Sequence, residues 1–400
     1  MRQPVSVLDI GSSKVVCLAG VLRGSDALEV VGFGQAQYEG FYKGTFQNPL
    51  SLEKAIATAV EEASAEAGKK IRSVYCSVPA AFSDVACNSA TIHTADDNIV
   101  TANDERMAME LARDFYVPER MQIIHHLTRY YELDGGRRVV DPLGLKATTL
   151  EGKFSFVMAQ KQYIAFMTKT LEKLDLSIES FISESAAESL YVTDPMQRDN
   201  IMCLVDVGYF CTNIDIVEGD AIIAHWVLDI GGAHVVNDLI YGAELTKNEA
   251  EQLKKHYVFG LNVEPDSFEA VRAVDGRQKF VPREIVQTII ESRVYEIAEV
   301  VKEILGSLRI PLTPKSKVFL TGGGIAMMRG ARELFETVIG LPVETSRKYT
   351  PKINTPNYLS ALGLLDFAFN VNDGNVAENT KTNKKSSISI FDKILNKVRR

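Results

Sequence analysis

The sequence predicts a two-lobed α/β protein made of duplicated halves, with a small inserted α+β domain and a C-terminal amphipathic helix. Three observations carry this expectation. First, V-L-D-I-G-S-S-K-V-V and L-V-D-V-G-Y-F-C-T-N-I each read as a strand ending in Asp-x-Gly, a turn and a returning strand, with Asp9 and Asp206 separated by 197 residues. Second, strands and helices alternate around both repeats, but the stretch 84–159 breaks that rhythm. Third, the composition after residue 369 falls to a polar run without core material and ends in a short, basic, periodic segment.

The elements follow in order. Residues 5–9 and 14–22 read as strands joined by Gly11-Ser12-Ser13, and 28–34 as a third strand. Alanines and acids at helical spacing predict a helix over 52–67, followed by a buried strand over 71–78. The inserted stretch predicts a helix at 102–115, two strands at 122–127 and 129–132, the turn D-G-G-R-R and a closing strand at 153–159. Helix 162–174 and strand 178–182 resume the βα rhythm, and residues 186–192 follow. The second repeat spans 202–223 with a turn at Glu218-Gly219-Asp220. Residues 243–309 read as mostly helical with an interruption near 259–282, and strand 318–320 runs through T-G-G-G into a helix at 329–338.

Bulk properties limit the function classes. A chain of 400 residues with 46% hydrophobic and 24% charged residues is a globular protein of more than one domain. The five cysteines form no C-x-x-C pair and fall mostly in strand-like runs, which predicts buried, reduced thiols and a reducing cytoplasm. The N-terminus has no long apolar stretch before a small-residue cleavage site, so no signal peptide is expected. No run approaches the roughly 18 apolar residues that span a bilayer.

The net charge is −8, yet residues 381–400 carry seven Lys/Arg against one Asp, leaving about −14 on the rest. An acidic body with a basic tail argues against nucleic-acid binding and gives the tail its own electrostatic task. In S-I-S-I-F-D-K-I-L-N-K-V-R-R, Phe391, Ile394, Leu395 and Val398 share one helical face, flanked by Lys393, Lys397, Arg399 and Arg400. That is the pattern of a helix lying in the interface of an anionic membrane; docking on the protein's own body or in a partner's groove is the alternative.

Two facing Asp-x-Gly hairpins make a phosphate clamp, with turn N–H groups aimed at oxygens and each Asp, Asp9 and Asp206, able to hold Mg²⁺ through water. Gly11 permits the tight turn, Ser12 and Ser13 offer donors, and Lys14 can neutralise a phosphate. The six histidines form no metal set: His125 and His126 are adjacent on a strand and point to opposite faces. No H-E-x-x-H, P-loop or nucleophile elbow is present, and Trp226 reads as core.

On these residues the chain resembles the superfamily of actin, heat-shock chaperones and sugar kinases, and within it the bacterial FtsA family. D-I-G-S-S-K-V resembles the first phosphate hairpin and L-T-G-G-G-I the adenosine loop. H-L-T-R-Y-Y-E-L-D-G with D-P-L-G-L matches the inserted domain that distinguishes FtsA from actin, and G-G-A-H-V-V-N-D-L-I-Y-G followed by E-A-E-Q-L-K resembles FtsA's entry into its upper lobe. The resemblance implies an actin-like, two-lobed ATPase fold of duplicated ribonuclease-H-like halves. The implied domains are a first lobe at 1–83, 160–197 and 343–369, the insertion at 84–159, and a second lobe at 198–242 and 311–342. An upper subdomain at 243–310, a linker at 370–386 and a membrane helix at 387–400 complete them.

The resemblance also implies residue roles. Asp9, Gly11, Ser12, Ser13, Lys14, Gly208, Thr212, Glu251, Lys254, Gly322, Gly323 and Gly324 would hold ATP, with Asp9 and Asp206 on Mg²⁺ through water. Glu184, with Asp206, would orient an attacking water; a helix N-terminal acid is the competing reading. The upper subdomain would receive the C-terminal peptide of FtsZ, with Arg293 either a contact or an ordinary surface arginine. The implied protein polymerises and tethers FtsZ to the inner face of the cytoplasmic membrane at the division site, among other division proteins. A PilM-type pilus adaptor and a small-molecule kinase of the same superfamily are the alternatives.

The departure lies in the second hairpin. The family pattern D-I-G-G-G-T-T-D is replaced by D-V-G-Y-F-C-T-N, placing Tyr209, Phe210, Cys211 and Asn213 where glycines, a threonine and an acid are usual. Either nucleotide still binds through the intact first loop, with slow or no hydrolysis, or the aromatics fill the cleft. The first reading is preferred, because decay would have no reason to spare the loop from Asp9 to Lys14.

Overall fold

The computed structural model describes residues 4–372 apart from 24–26, 96, 263, 265, 274–275, 311 and 347. The membrane-helix residues expected at 387–400 therefore lie outside the described residues.

Two five-stranded sheets share one topology. The first runs Ser177–Ser183, Ser73–Val78, Val5–Ile10, Lys14–Arg23, Ala27–Gln37. The second runs Val343–Glu344, Lys317–Thr321, Met202–Val207, Thr212–Glu218, Ala221–Leu228. In each, the leading strand pairs antiparallel with its hairpin partner and parallel with the next strand inward. Register repeats as well: Asp9 pairs with Val16 and Asp206 with Asn213, each seven residues on. The central strand Val5–Ile10 is buried along its whole length, as expected of a strand covered by helices on both faces.

Local chemistry sets the helices. Asn48 caps Pro49–Ala67 by accepting from Leu50 and Ser51 N–H, proline occupies the first turn, and Gly68 closes the helix in the left-handed conformation. That helix and Lys161–Lys173 cover one face of the first sheet through Leu52, Ile56, Tyr163 and Met167. The helices Glu184–Val192 and Leu359–Asn372 cover the other, and Val192 and Leu359 also pack on Leu204 and Phe319 of the second sheet. These two helices thus lie between the lobes. The long helix Arg283–Ser307 and Gly232–Gly242 cover the second sheet.

The segment after residue 82 forms a four-stranded antiparallel sheet ordered Ser83–His93, Thr149–Gln160, Met121–Leu133, Arg137–Val139, with helix Ala102–Ala112 against it. The helix starts in a capping box in which Thr101 and Asp104 bond each other's backbone N–H. This sheet docks on the second lobe: Arg129 and Arg138 both ion-pair with Glu218, and Leu127 and Val157 pack with Ala221 and Ile222.

Several expectations are corrected. The two strands read at 122–127 and 129–132 are one continuous strand, its register shifts absorbing the irregularity. The interruption at 259–282 contains a hairpin, Phe268–Arg272 with Gln278–Pro282. The thiols are not uniformly buried: Cys17, Cys76 and Cys203 are, but Cys211 is half-buried and Cys87 is exposed on the strand Ser83–His93. Among the described residues no helix is long and apolar enough to cross a membrane.

Candidate functional site

The two hairpin loops face each other between the lobes. Each closes in the same way, Gly11 N–H donating to Lys14 O at 3.0 Å and Gly208 N–H to Cys211 O at 2.9 Å. The Tyr38 hydroxyl donates to Gly11 O at 2.7 Å and Ser13 O accepts from Tyr38 N–H at 3.1 Å, fixing the first loop against the third strand. Across the gap, Phe210 N–H donates to Ser12 Oγ at 3.2 Å. The second loop is anchored from behind, Gly208 O and Tyr209 O accepting from Gly232 N–H and Ala233 N–H at 2.9 and 2.7 Å.

The glycine run after Thr321 closes the third side. Gly322 has φ +88°, and a Cβ there would fall 2.1 Å from Asp206 Oδ1. A Cβ on Gly324 would fall 2.3 Å from Gly208 O, and one on Gly323 would press on Asn357 at 3.0 Å. At Gly322 and Gly324 the backbone must pass closer to the hairpin than any side chain permits.

Carboxylates gather at the floor. Asp9 is buried; its Oδ2 accepts from Ser360 Oγ at 2.7 Å, while its Oδ1 has no hydrogen-bond partner. Glu184 and Glu188, one turn apart on the interlobe helix, are buried beside Asp9 and Asp206. Burial raises Asp9, Glu184 and Glu188 above the ordinary carboxylate range, with neighbouring carboxylates adding to the shift on the two glutamates. Asp206 is pushed up to about 7 by burial and then by Asp9 and Asp215. Asp215 lies 3.4 Å from His225 Nδ1.

The basic groups are engaged. Lys14 Nζ donates to Asn357 O at 2.9 Å and sits 3.9 Å from the centre of the Tyr358 ring; burial lowers it to about 8 against the pull of Asp9 and Asp206. Lys254 is buried, donates to Gly232 O at 3.0 Å, and is lowered to about 8 by burial. Glu251, one turn earlier on Lys247–His256, lies near the Tyr209 hydroxyl, and burial, then this carboxylate, pushes the phenol up to about 12. Thr212 is fully buried, its hydroxyl donating to Ile230 O at 2.6 Å inside the second lobe.

The structure therefore brings Asp9, Gly11, Ser12, Ser13, Lys14, Glu184, Asp206, Gly208 and Gly322–Gly324 to one cleft, with Glu251 and Lys254 on its upper wall. Arg293 lies apart, its guanidinium held by Asp238 at 2.7 and 3.1 Å and by Glu296 at 2.5 Å. Trp226 packs on the second-lobe core and also lines a separate interlobe groove of about 400 Å³ with Lys43, Asp84 and His225. Sequence reasoning missed Glu188, Asp215 and Ser360. Only Glu188 left a signal, as the second glutamate four residues on in S-E-S-A-A-E-S.

Two family models match the chain: the cell division protein FtsA over residues 203–363, and the SHS2 domain inserted in FtsA over 84–158. FtsA of Neisseria meningitidis serogroup B is 28% identical over 94% of this chain and 92% of that protein. FtsA of Pseudomonas aeruginosa is 29% identical over 90% of this chain and 87% of that protein. Among solved structures, the PilM–PilN type IV pilus biogenesis complex matches with a TM-score of 0.62 at 16% identity, covering 92% of this chain and 99% of that one. MreB5 of Spiroplasma citri bound to ADP matches with a TM-score of 0.53 at 11% identity, covering 93% and 99%. At such identities the structural likeness shows the fold alone.

Proposed function

The chain belongs to the FtsA family of actin-like cell division proteins, and from that premise we propose that it binds ATP between its lobes, polymerises, and tethers FtsZ to the inner face of the cytoplasmic membrane. The observation that carries the nucleotide reading is the pair of register-matched Asp-x-Gly hairpins facing each other across one cleft. The unpartnered, buried Oδ1 of Asp9 and the glycine run at 322–324 fit a phosphorylated ligand with its cation. In this reading Asp9 and Asp206 would hold the cation through water. Bound Mg²⁺ would supply neutralising charge to the phosphates.

The residues present have distinct parts in this reading. Gly11, Ser12, Ser13, Gly208 and Thr212 shape the phosphate loops, and Lys14 balances the charge of Asp9 and Asp206. Glu251, Lys254 and Gly322–Gly324 border the nucleoside. Glu184 and Asp206 stand where a water would be oriented, but an interior crowded with raised carboxylates and a second loop whose Phe210 N–H is already bonded favour a nucleotide that is held rather than turned over. Enzymatic activity is at most a slow ATPase.

The upper subdomain takes the FtsZ C-terminal peptide, with Arg293 a contact whose ion pairs to Asp238 and Glu296 would have to yield. The tail from Phe391 to Arg400 attaches peripherally to anionic lipid at the division site, and many tails on one polymer bind by avidity. Recruitment of fluorescent FtsZ to anionic vesicles tests the tether: FtsZ should coat vesicles only when the full chain is present. Bare vesicles in the presence of chain and FtsZ would overturn it.

A further inference from the structure

Tyr209 and Phe210 do not fill the core of either lobe. Both are half-buried, their rings edge-to-face with centroids 4.8 Å apart and planes at 75°. From this pair one arm reaches each wall of the cleft. Phe210 reaches the first lobe: its N–H donates to Ser12 Oγ at 3.2 Å, and its ring covers Gly40, where an added Cβ would lie 2.9 Å from the ring. Tyr209 reaches the upper wall: Lys247 Nζ stands 5.8 Å from its ring centre, and the Glu251 carboxylate lies near its hydroxyl. The loop carrying both is pinned by Gly232 and Ala233 N–H. The rings therefore form a strap from Ser12 and Gly40, through the second phosphate loop, to the helix Lys247–His256.

We propose that Tyr209 and Phe210 are a latch that selects against long phosphate chains in this cleft; this rests on the reading that the cleft takes a nucleotide. The backbone N–H of Phe210 belongs to the loop that faces the phosphate end, and it is bonded to Ser12 Oγ. A ligand with terminal phosphates must separate those two groups and slide the Phe210 ring off Gly40. A nucleoside monophosphate, held by the glycine run and the upper wall, need not. Tyr209 transmits the opening, because moving its ring away from Lys247 and Glu251 frees the Lys247–His256 helix from the loop.

The test uses the full chain and the variant Y209G/F210G, titrated calorimetrically with ATP and with AMP in the presence of Mg²⁺. Amide exchange across residues 247–256 is followed in both proteins without nucleotide. The proposal expects the variant to bind ATP at least tenfold more tightly, to bind AMP within about twofold of the parent, and to exchange faster over 247–256. The single variant Y209A removes the ring beside Lys247 and keeps Phe210; it should speed exchange there and tighten ATP binding less than the double variant does. Equal ATP affinity in parent and variant, with the parent binding, overturns the latch and leaves the nucleotide reading standing. Absence of ATP binding in both, with circular dichroism unchanged, overturns the two together.

Discussion

The Ser12 hydroxyl accepts a 3.2 Å hydrogen bond from the backbone N–H of Phe210, so the turns of the two Asp-x-Gly hairpins meet across the cleft. Ser12 is buried at the end of the first hairpin and Phe210 half-exposed in the second. Replacing Ser12 by Ala removes this link between the lobes while keeping the turn. Amide exchange at Phe210 should accelerate roughly fivefold, the effect of about 1 kcal/mol from one neutral hydrogen bond. Unchanged exchange would mean that another group protects that amide.

Gly324 tests how closely the third loop must approach. Gly324→Ala places a methyl 2.3 Å from Gly208 O, backbone against backbone, with Val207 O at 2.7 Å. Unfolding in urea should show a loss of about 2–3 kcal/mol. The control Gly340→Ala, at φ +76° with open space around it, should lose only the smaller strain cost of about 1 kcal/mol.

His125 gives a pH dependence of definite sign. It is buried under Phe367, its Nε2 accepts from Ser183 N–H at 3.1 Å, and burial, then His126, pushes it down to about 3. A histidine lowered on folding contributes stability that is present above its unfolded value near 6.5 and lost as the pH falls towards 3. Relative to His125→Gln, which does not titrate, the parent should lose about 3 kcal/mol between pH 7 and pH 4. Parallel stability curves for the two proteins would exclude a neutral buried imidazole.

The tail carries a lipid prediction. Deleting residues 387–400 removes four cations and four apolar anchors from the chain. At about 1 kcal/mol per cation, sedimentation with vesicles rich in anionic lipid should weaken about a thousandfold. Retained binding would place the membrane contact on the folded body.

Much of the fold was legible because the duplicated hairpins combine local turn chemistry with buried, apolar strands. Asp9-x-Gly11 and Asp206-x-Gly208 announced both lobes, and the structure repeats even their register. The strand Ser83–His93 was not legible: S-D-V-A-C-N-S-A-T-I-H is an edge strand of small polar residues that pairing alone holds in place. The helix Leu359–Asn372 was hidden for the opposite reason, since it is buried between sheet and helix and shows no polar face to set a period. Within the site, the loops were readable from glycine and aspartate spacing. Ser360 and Asp215 were not, because they reach the carboxylate cluster only through tertiary packing. The role of Tyr209 and Phe210 could be posed from the sequence but not answered there. Their contacts with Gly40, Ser12 and Glu251 join segments far apart along the chain.

The central claim is that the cleft between the hairpins holds ATP and turns it over slowly if at all. The most direct measurement titrates Mg²⁺ and ATP into protein lacking residues 387–400 and follows phosphate release in the same sample. Saturable binding with negligible release is the predicted result. A folded protein that binds no ATP would contradict it and make the chain a nucleotide-independent scaffold.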